Sequence, residues 1–170
     1  MTLFTNGKAW TIFRHGLATH SKTGYGDQIW TAQVLPEGIP PIQRLAGFLQ
    51  HEGTRPDMAA CSELLRCRQT AAIVTAATGV AFTPDARLNE QIDETFDQVR
   101  ERVRGFIAAV NASPHQSIWV CTHGAIIAAL KNLLTVGLFT PSDALDYTKP
   151  GEILRIAGDR VEIFRFNDVV

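Results

Sequence analysis

Long apolar runs are what this sequence most plainly lacks. The best candidate, residues 125–138, is broken by Lys131 and Asn132, so no segment is expected to span a bilayer. Cysteine is scarce too: three residues, an odd number, without the spacing of metal ligands or of a disulfide framework. They read as reduced thiols, with Cys61 and Cys121 as small packing residues inside apolar runs. Neither sign of charge dominates. A formal net charge of −1 offers no general attraction to nucleic acid or to an anionic membrane, so any anion binding must be local. No histidine pair has ligand spacing and no glycine-rich phosphate loop is present, so neither a metal nor a nucleotide-type cofactor is expected. The first residues lack the charged start and apolar core of a secretory signal, and a cytoplasmic chain is expected.

What is present suits a folded core. With 170 residues, 45% of them hydrophobic, the expectation is a single domain over residues 1–170. Residues 9–13 read as a short buried strand, and residues 16–38, rich in glycine, as a long surface loop. A helix is expected from Pro40-Pro41, with Ile42, Leu45, Ala46 and Leu49 as its apolar stripe and Gly53 as its stop. Residues 57–61 form a second strand. Ser62 then reads as the N-cap of a helix that buries Leu65, Ala72, Ile73, Ala76 and Ala77 and ends at Gly79. Residues 80–83 look like a short edge strand stopped by Pro84. Phe96, Val99, Val103, Phe106, Ile107 and Val110 recur at helical spacing. A strand over 117–122 shows no polar alternation, as in one covered on both faces. An apolar helix over 124–138 follows, and a hairpin over 152–156 and 161–166 closes the chain. Strand and helix alternate, which implies a three-layer α/β/α sandwich with a mostly parallel central sheet.

The most informative residues stand at the ends of three of those strands. Arg14-His15-Gly16 follows the first, Ser62-Glu63-Leu64-Leu65-Arg66 the second, and His123-Gly124 the third. Ligands of open parallel sheets bind just beyond the carboxyl ends of the strands, where helix N-termini also aim free N–H groups. If the three strands are neighbours, two arginines and two histidines meet in one crevice. Guanidinium forks match phosphate oxygens, so a phosphoryl group is the favoured ligand.

A histidine among such cations should stay unprotonated, and a neutral imidazole has the lone pair that attack on phosphorus requires. His15 is the candidate nucleophile, with Gly16 letting the chain turn beside it. His123, if protonated, would stabilise charge on a nonbridging oxygen. A carboxylic acid must protonate the leaving oxygen and later activate water. Glu90 is the candidate, with Asp93, Glu94 and Glu63 as rivals; its plainer reading is a loop charge or part of the next helix's first turn. His20, His51 and His115 read as surface residues.

The ordered set is more specific than its parts. Arg14-His15-Gly16, Ser62-x-Leu64-x-Arg66 with Gln69-Thr70-Ala71, and His123-Gly124 closely resemble the histidine phosphatase superfamily, of phosphoglycerate-mutase-like fold. Leu35-Pro36-Glu37-Gly38 resembles the family's Leu-Thr-x-x-Gly segment, and Leu88-Asn89-Glu90 the motif bearing its proton donor. The resemblance implies that His15 is phosphorylated, that Arg14, Arg66 and His123 hold the phosphate, and that Glu90 is the acid and base. Gly124 joins them at the phosphate. Where members commonly carry Ser or Thr and then Asn, this chain has Ala18 and Ser21, and Ser21, Thr23 or His20 would have to compensate. Glu90 lacks the Arg-x-x-Gly continuation of mutases, and His123 precedes glycine and not aspartate, unlike the acid phosphatase branch. The chain leaves no room for a large cap, so it is most similar to the small, minimally capped phosphatases.

The resulting expectation is a cofactor-independent hydrolase of a phosphomonoester or protein phosphohistidine. Its partner would be a phosphorylated small molecule or a phosphoprotein, with no nucleic acid and no membrane; the sequence is silent on oligomeric state. Two alternatives stay open: a non-catalytic phospholigand-binding module in the same pocket, and a phosphoglycerate-mutase-type phosphotransferase.

Overall fold

The computed structural model describes residues 4–19 and 24–167. Its strands are β1 (Ala9–Arg14), β2 (Met58–Cys61), β3 (Thr83–Pro84), β4 (Ser117–Thr122), β5 (Glu152–Ala157) and β6 (Arg160–Arg165). They form one sheet in the order β3-β2-β4-β1-β5-β6. β1 to β4 run parallel, and β5 and β6 are added antiparallel beside β1. The helices are α1 (Ile39–Glu52), α2 (Leu65–Thr78), α3 (Phe96–Ala112) and α4 (Gly124–Thr135).

Alternation along each strand divides the core in two. Trp10, Ile12, Ile118, Val120 and Leu154 face one way and pack with Val99, Val103, Phe106, Ile127 and Leu130 of α3 and α4. Phe13, Cys61, Trp119, Cys121 and Ile153 face the other way, onto Ile42, Leu45, Leu49, Cys67 and Val74 of α1 and α2. The sheet is therefore covered on both faces, the three-layer arrangement expected. All three cysteines are buried free thiols. Among the described residues no helix is long and apolar enough to cross a membrane.

Several elements differ from their sequence expectation. α2 begins at Leu65, not after a Ser62 cap; Leu64 precedes it in extended conformation, and Ser62 Oγ accepts the Leu64 N–H at 3.2 Å. Its buried residues are Arg66, Cys67, Thr70, Ala71 and Val74, while Ala72 and Ala76 are exposed. The inner side of this helix faces polar groups, which hydrophobic periodicity alone assigns outward. The edge strand lies at Thr83–Pro84, beside Ala60 and Cys61. Proline is tolerated there because an edge strand can spare one N–H.

The two ends of the long connection from β1 to α1 are tied to each other. Ala18 bridges Val34, and Leu35 donates its N–H to Leu17 at 2.8 Å. Gly38 passes so close that a Cβ on it would lie 2.5 Å from the Leu17 carbonyl oxygen. Gly38→Ala should therefore cost about 1–3 kcal/mol in urea denaturation, as overpacking does. Gly47→Ala on the exposed side of α1, where a Cβ meets nothing within 4 Å, should be neutral or stabilising. Equal effects from the two would show that the Gly38 approach is not tight.

Candidate active site

Strand register places the site. Arg14 of β1 lies opposite Thr122 of β4, and Cys121 opposite Cys61 of β2. Of the residues that follow, His15 and His123 therefore emerge at one level, and Ser62 one residue before them, level with Thr122. The ladder continues there, with His15 N–H donating to Thr122 and Ser62 N–H to Cys121, at 3.1 and 3.0 Å. His15, Ser62, Arg66 and His123 are all buried.

His15 is held in one tautomer. Its Nδ1 lies 2.8 Å from the Gly16 carbonyl, which can only accept, so Nδ1 carries the hydrogen. Nε2 keeps its lone pair, which accepts the Arg66 Nε–H at 3.3 Å. Burial, then the charge of Arg14 and, less strongly, of Arg66, lowers its pKa from 6.5 to about 3, against a rise from the Gly16 hydrogen bond. Gly16 itself is anchored: its N–H donates to Thr70 Oγ1 at 2.9 Å, and that hydroxyl donates to the Arg66 carbonyl at 2.8 Å. Gln69 accepts the Val34 N–H at 2.8 Å. These two α2 side chains thus tie the loop after β1 to the helix that carries Arg66.

His123 stands 5.2 Å from His15 between ring centroids, edge to face. A chain of donors fixes its tautomer too. The Glu63 N–H identifies the nearby Asn89 atom, at 2.8 Å, as the amide oxygen, and Ser62 Oγ, 3.1 Å from it, must donate to it. Ser62 also accepts from Leu64, so His123 Nε2, 2.8 Å away, donates to Ser62. The lone pair of neutral His123 is then on Nδ1, 3.7 Å from Glu90 Oε2. Burial and the neighbouring His15 and arginines hold its pKa well below the usual value. Cys67 Sγ lies 3.5 Å from His123 Nε2.

Arg66 donates to the Ile29 carbonyl at 2.6 Å and lies 3.9 Å over the Tyr25 ring; Arg14 lies 5.1 Å over the Tyr147 ring. The Tyr147 ring presses on Gly124, the first residue of α4, where any Cβ would sit 2.9 Å from it. Three buried polar atoms here have no partner among the described residues: Arg14 Nε, Arg66 Nη2 and His123 Nδ1. Unmatched buried donors cost about 1–3 kcal/mol each, and charged ones more. An oxyanion is the ligand that would satisfy the two guanidiniums together.

Of the four carboxylates weighed, Glu90 alone reaches this cluster. Its side chain is 22% exposed, and burial raises its pKa despite opposing Arg66, Arg14 and Arg102. Glu94 is instead held by Arg102, whose hydrogen bond keeps its carboxyl below the ordinary range. Glu63 accepts from Asn89, and Asp93 is exposed at a left-handed φ of 51°. Ser21, Thr23 and His20 lie outside the described residues. His51 is exposed on α1 and His115 half-buried before β4, at the far end of that strand from His123. Among the described residues no group of three His, Cys, Asp or Glu side chains could hold a metal ion.

Sequence reasoning missed Tyr25 and Tyr147 and misassigned Ser62. Thr70, Gln69 and Asn89 lay within quoted motifs, but nothing in their spacing disclosed their hydrogen bonds.

The fold and these groups define an α/β protein with a buried, anion-receptive crevice at the carboxyl edge of its parallel strands. The family model of the histidine phosphatase superfamily (branch 1) matches residues 10–93 and 91–168, and the chain belongs to that superfamily. Among curated protein sequences there is no significant match. Solved structures share the fold. The alpha-ribazole phosphatase from Shigella flexneri is 18% identical with a TM-score of 0.73, over 94% of this chain and 96% of that one. The protein histidine phosphatase SixA complexed with tungstate is 17% identical with a TM-score of 0.68, over 92% and 94%. Mycobacterial glucosyl-3-phosphoglycerate phosphatase with VO3 is 18% identical with a TM-score of 0.73, over 92% and 96%.

The His15 shift has a thermodynamic consequence. An unfolded chain protonates this imidazole below about pH 6.5, whereas the folded one resists to about 3. The unfolded state then binds more protons, so stability falls as pH drops through that window. From pH 7.5 to 5 His15 should remove about 2 kcal/mol. Urea titrations of the His15→Asn variant should show a correspondingly smaller loss; an unchanged one would place the His15 pKa near its ordinary value.

Proposed function

We propose that the protein is a phosphatase that hydrolyses a phosphomonoester or protein phosphohistidine through a phosphohistidine on His15. The observation that carries this is the His15 imidazole, neutral, tautomerically locked and presenting Nε2 beside unpaired guanidinium N–H groups. In the first step Nε2 attacks phosphorus while Arg14 and Arg66 hold the nonbridging oxygens. Glu90, whose pKa burial raises, gives a proton to the leaving oxygen, or to the leaving imidazole nitrogen of a phosphohistidine. In the second, the Glu90 carboxylate takes a proton from water, which displaces His15 and restores the acid. A nonbridging oxygen meets His123 Nδ1 through one proton, which a phosphomonoester monoanion can bring with it. Gly124 contributes its place at the start of α4, where the helix dipole favours an anion.

The substrate class draws support from neighbours of the same fold, named for phosphorylated small molecules and for a protein histidine phosphatase. Only residues 79–95 lie between α2 and α3, and they hold no cap. With no cap there to keep water from a phosphoenzyme, hydrolysis is favoured over the mutase reaction.

Brief exposure to ³²P-labelled phenyl phosphate, then denaturation at alkaline pH, should leave a label on the protein that survives base and is lost in acid. His15→Ala should abolish the label and lower turnover on the order of 10³-fold or more. Full activity in that variant would end the proposal. Tight phosphate binding with neither label nor turnover in the intact protein would instead identify a binding module.

A further inference from the structure

The segment that presents Glu90 has little structure of its own. Residues 89–95 form neither helix nor strand, and Asp93 within them is left-handed. A side chain displaced by 1 Å in such a loop would lose its aim at a leaving group. One residue of α3 reaches back to it. Arg102 donates from Nη1 to the Arg87 carbonyl at 2.7 Å and from Nη2 to the Glu90 carbonyl at 3.1 Å. Its Nε and Nη2 also meet the two oxygens of Glu94, both at 2.9 Å. The fork therefore grips the loop before, at and after Glu90.

We propose that Arg102, braced by Glu94, is a positioning residue that aims the Glu90 carboxyl at the leaving-group oxygen. This rests on the reading of Glu90 as the acid. Arg102 makes no bond to the Glu90 carboxyl itself: four of its five N–H groups meet backbone carbonyls and Glu94. It holds the main chain and leaves the carboxyl oxygens unbonded to it. On the other side Asn89 is tied to Ser62 and Glu63, so the Glu90 peptide is clamped from both flanks. A lysine has the charge but not the planar fork that spans two carbonyls and a carboxylate at once.

A test must separate aim from stability. 2,4-Dinitrophenyl phosphate expels a phenolate that needs no proton, whereas phenyl phosphate, of similar shape, depends on the acid. Because kcat/KM reports transfer to His15, the comparison is made there. In Arg102→Ala and Arg102→Lys, kcat/KM for phenyl phosphate should fall about tenfold or more, within the range of general acid catalysis. The value for the dinitrophenyl ester should change less than about twofold, and inhibition by vanadate should be unaltered. Glu94→Gln, which removes only the brace, should show the same asymmetry in smaller measure, and serves if the Arg102 variants do not fold. Glu90→Gln is run alongside. If it is asymmetric while the Arg102 and Glu94 variants lose both activities equally, or neither, the positioning role is overturned and the acid stands. If Glu90→Gln loses both equally, the acid assignment fails, and this proposal with it.

Discussion

Two guanidinium groups and two imidazoles share one crevice, and among the described residues no carboxylate is in hydrogen-bonding contact with any of them. Placing cations together in low dielectric is costly, and the protein limits that cost by keeping both imidazoles neutral. The arginines gain part of the compensation elsewhere, from the Ile29 carbonyl and from the faces of Tyr25 and Tyr147. Such stacking is worth about 0.5–2 kcal/mol, too little to replace an anion. What remains is a set of N–H groups without partners, and the rest of the molecule serves to hold them in place.

That service begins with the sheet. Because β1, β4 and β2 are parallel, residues remote in sequence leave their strands side by side, His15 level with His123 and Ser62 one residue before them. Small side chains then lock the loops: Thr70 grips Gly16, Gln69 grips Val34, and the Ser62–Asn89 chain fixes the proton of His123. Each link crosses from one strand end to another, so the three loops form one connected body. A change in any of them moves the imidazoles relative to the arginines, which is why polar residues occupy the inner side of α2.

The same facts explain what could be read from the sequence. β1, β4 and α3 were legible because their apolar residues face a dry core on simple periods, and the paired His-Gly steps marked the strand ends. α2 was legible as an element but not in its orientation. Its inward side carries Arg66 and Thr70, whose partners are site groups, beside Cys67, Ala71 and Val74 in the apolar core. Ser62 carried the sequence signal of a cap, yet its hydroxyl is claimed by His123 and Asn89 across the sheet. Arg102 lies in the charged run Glu101-Arg102-Val103-Arg104, where a solvated helix face is the natural reading. Tyr25 and Tyr147 reach the arginines through tertiary contacts for which no local pattern exists.

Burial acts on His15 and Glu90 in opposite chemical senses. Desolvation penalises whichever form is charged, so it lowers the pKa of the imidazole and raises that of the carboxyl. The crevice thereby holds His15 as a free base at neutral pH and shifts Glu90 toward its acid form within the same cluster, the pairing that a displacement at phosphorus requires. The nearby arginines reinforce the first effect and oppose the second. The acid therefore depends on its depth and its tether more than the nucleophile does. His15 is held by a strand end and by its own neighbour's carbonyl, both parts of the sheet's edge. Glu90 hangs from an irregular loop, so its chemistry is as dependable as the contacts that fix that loop.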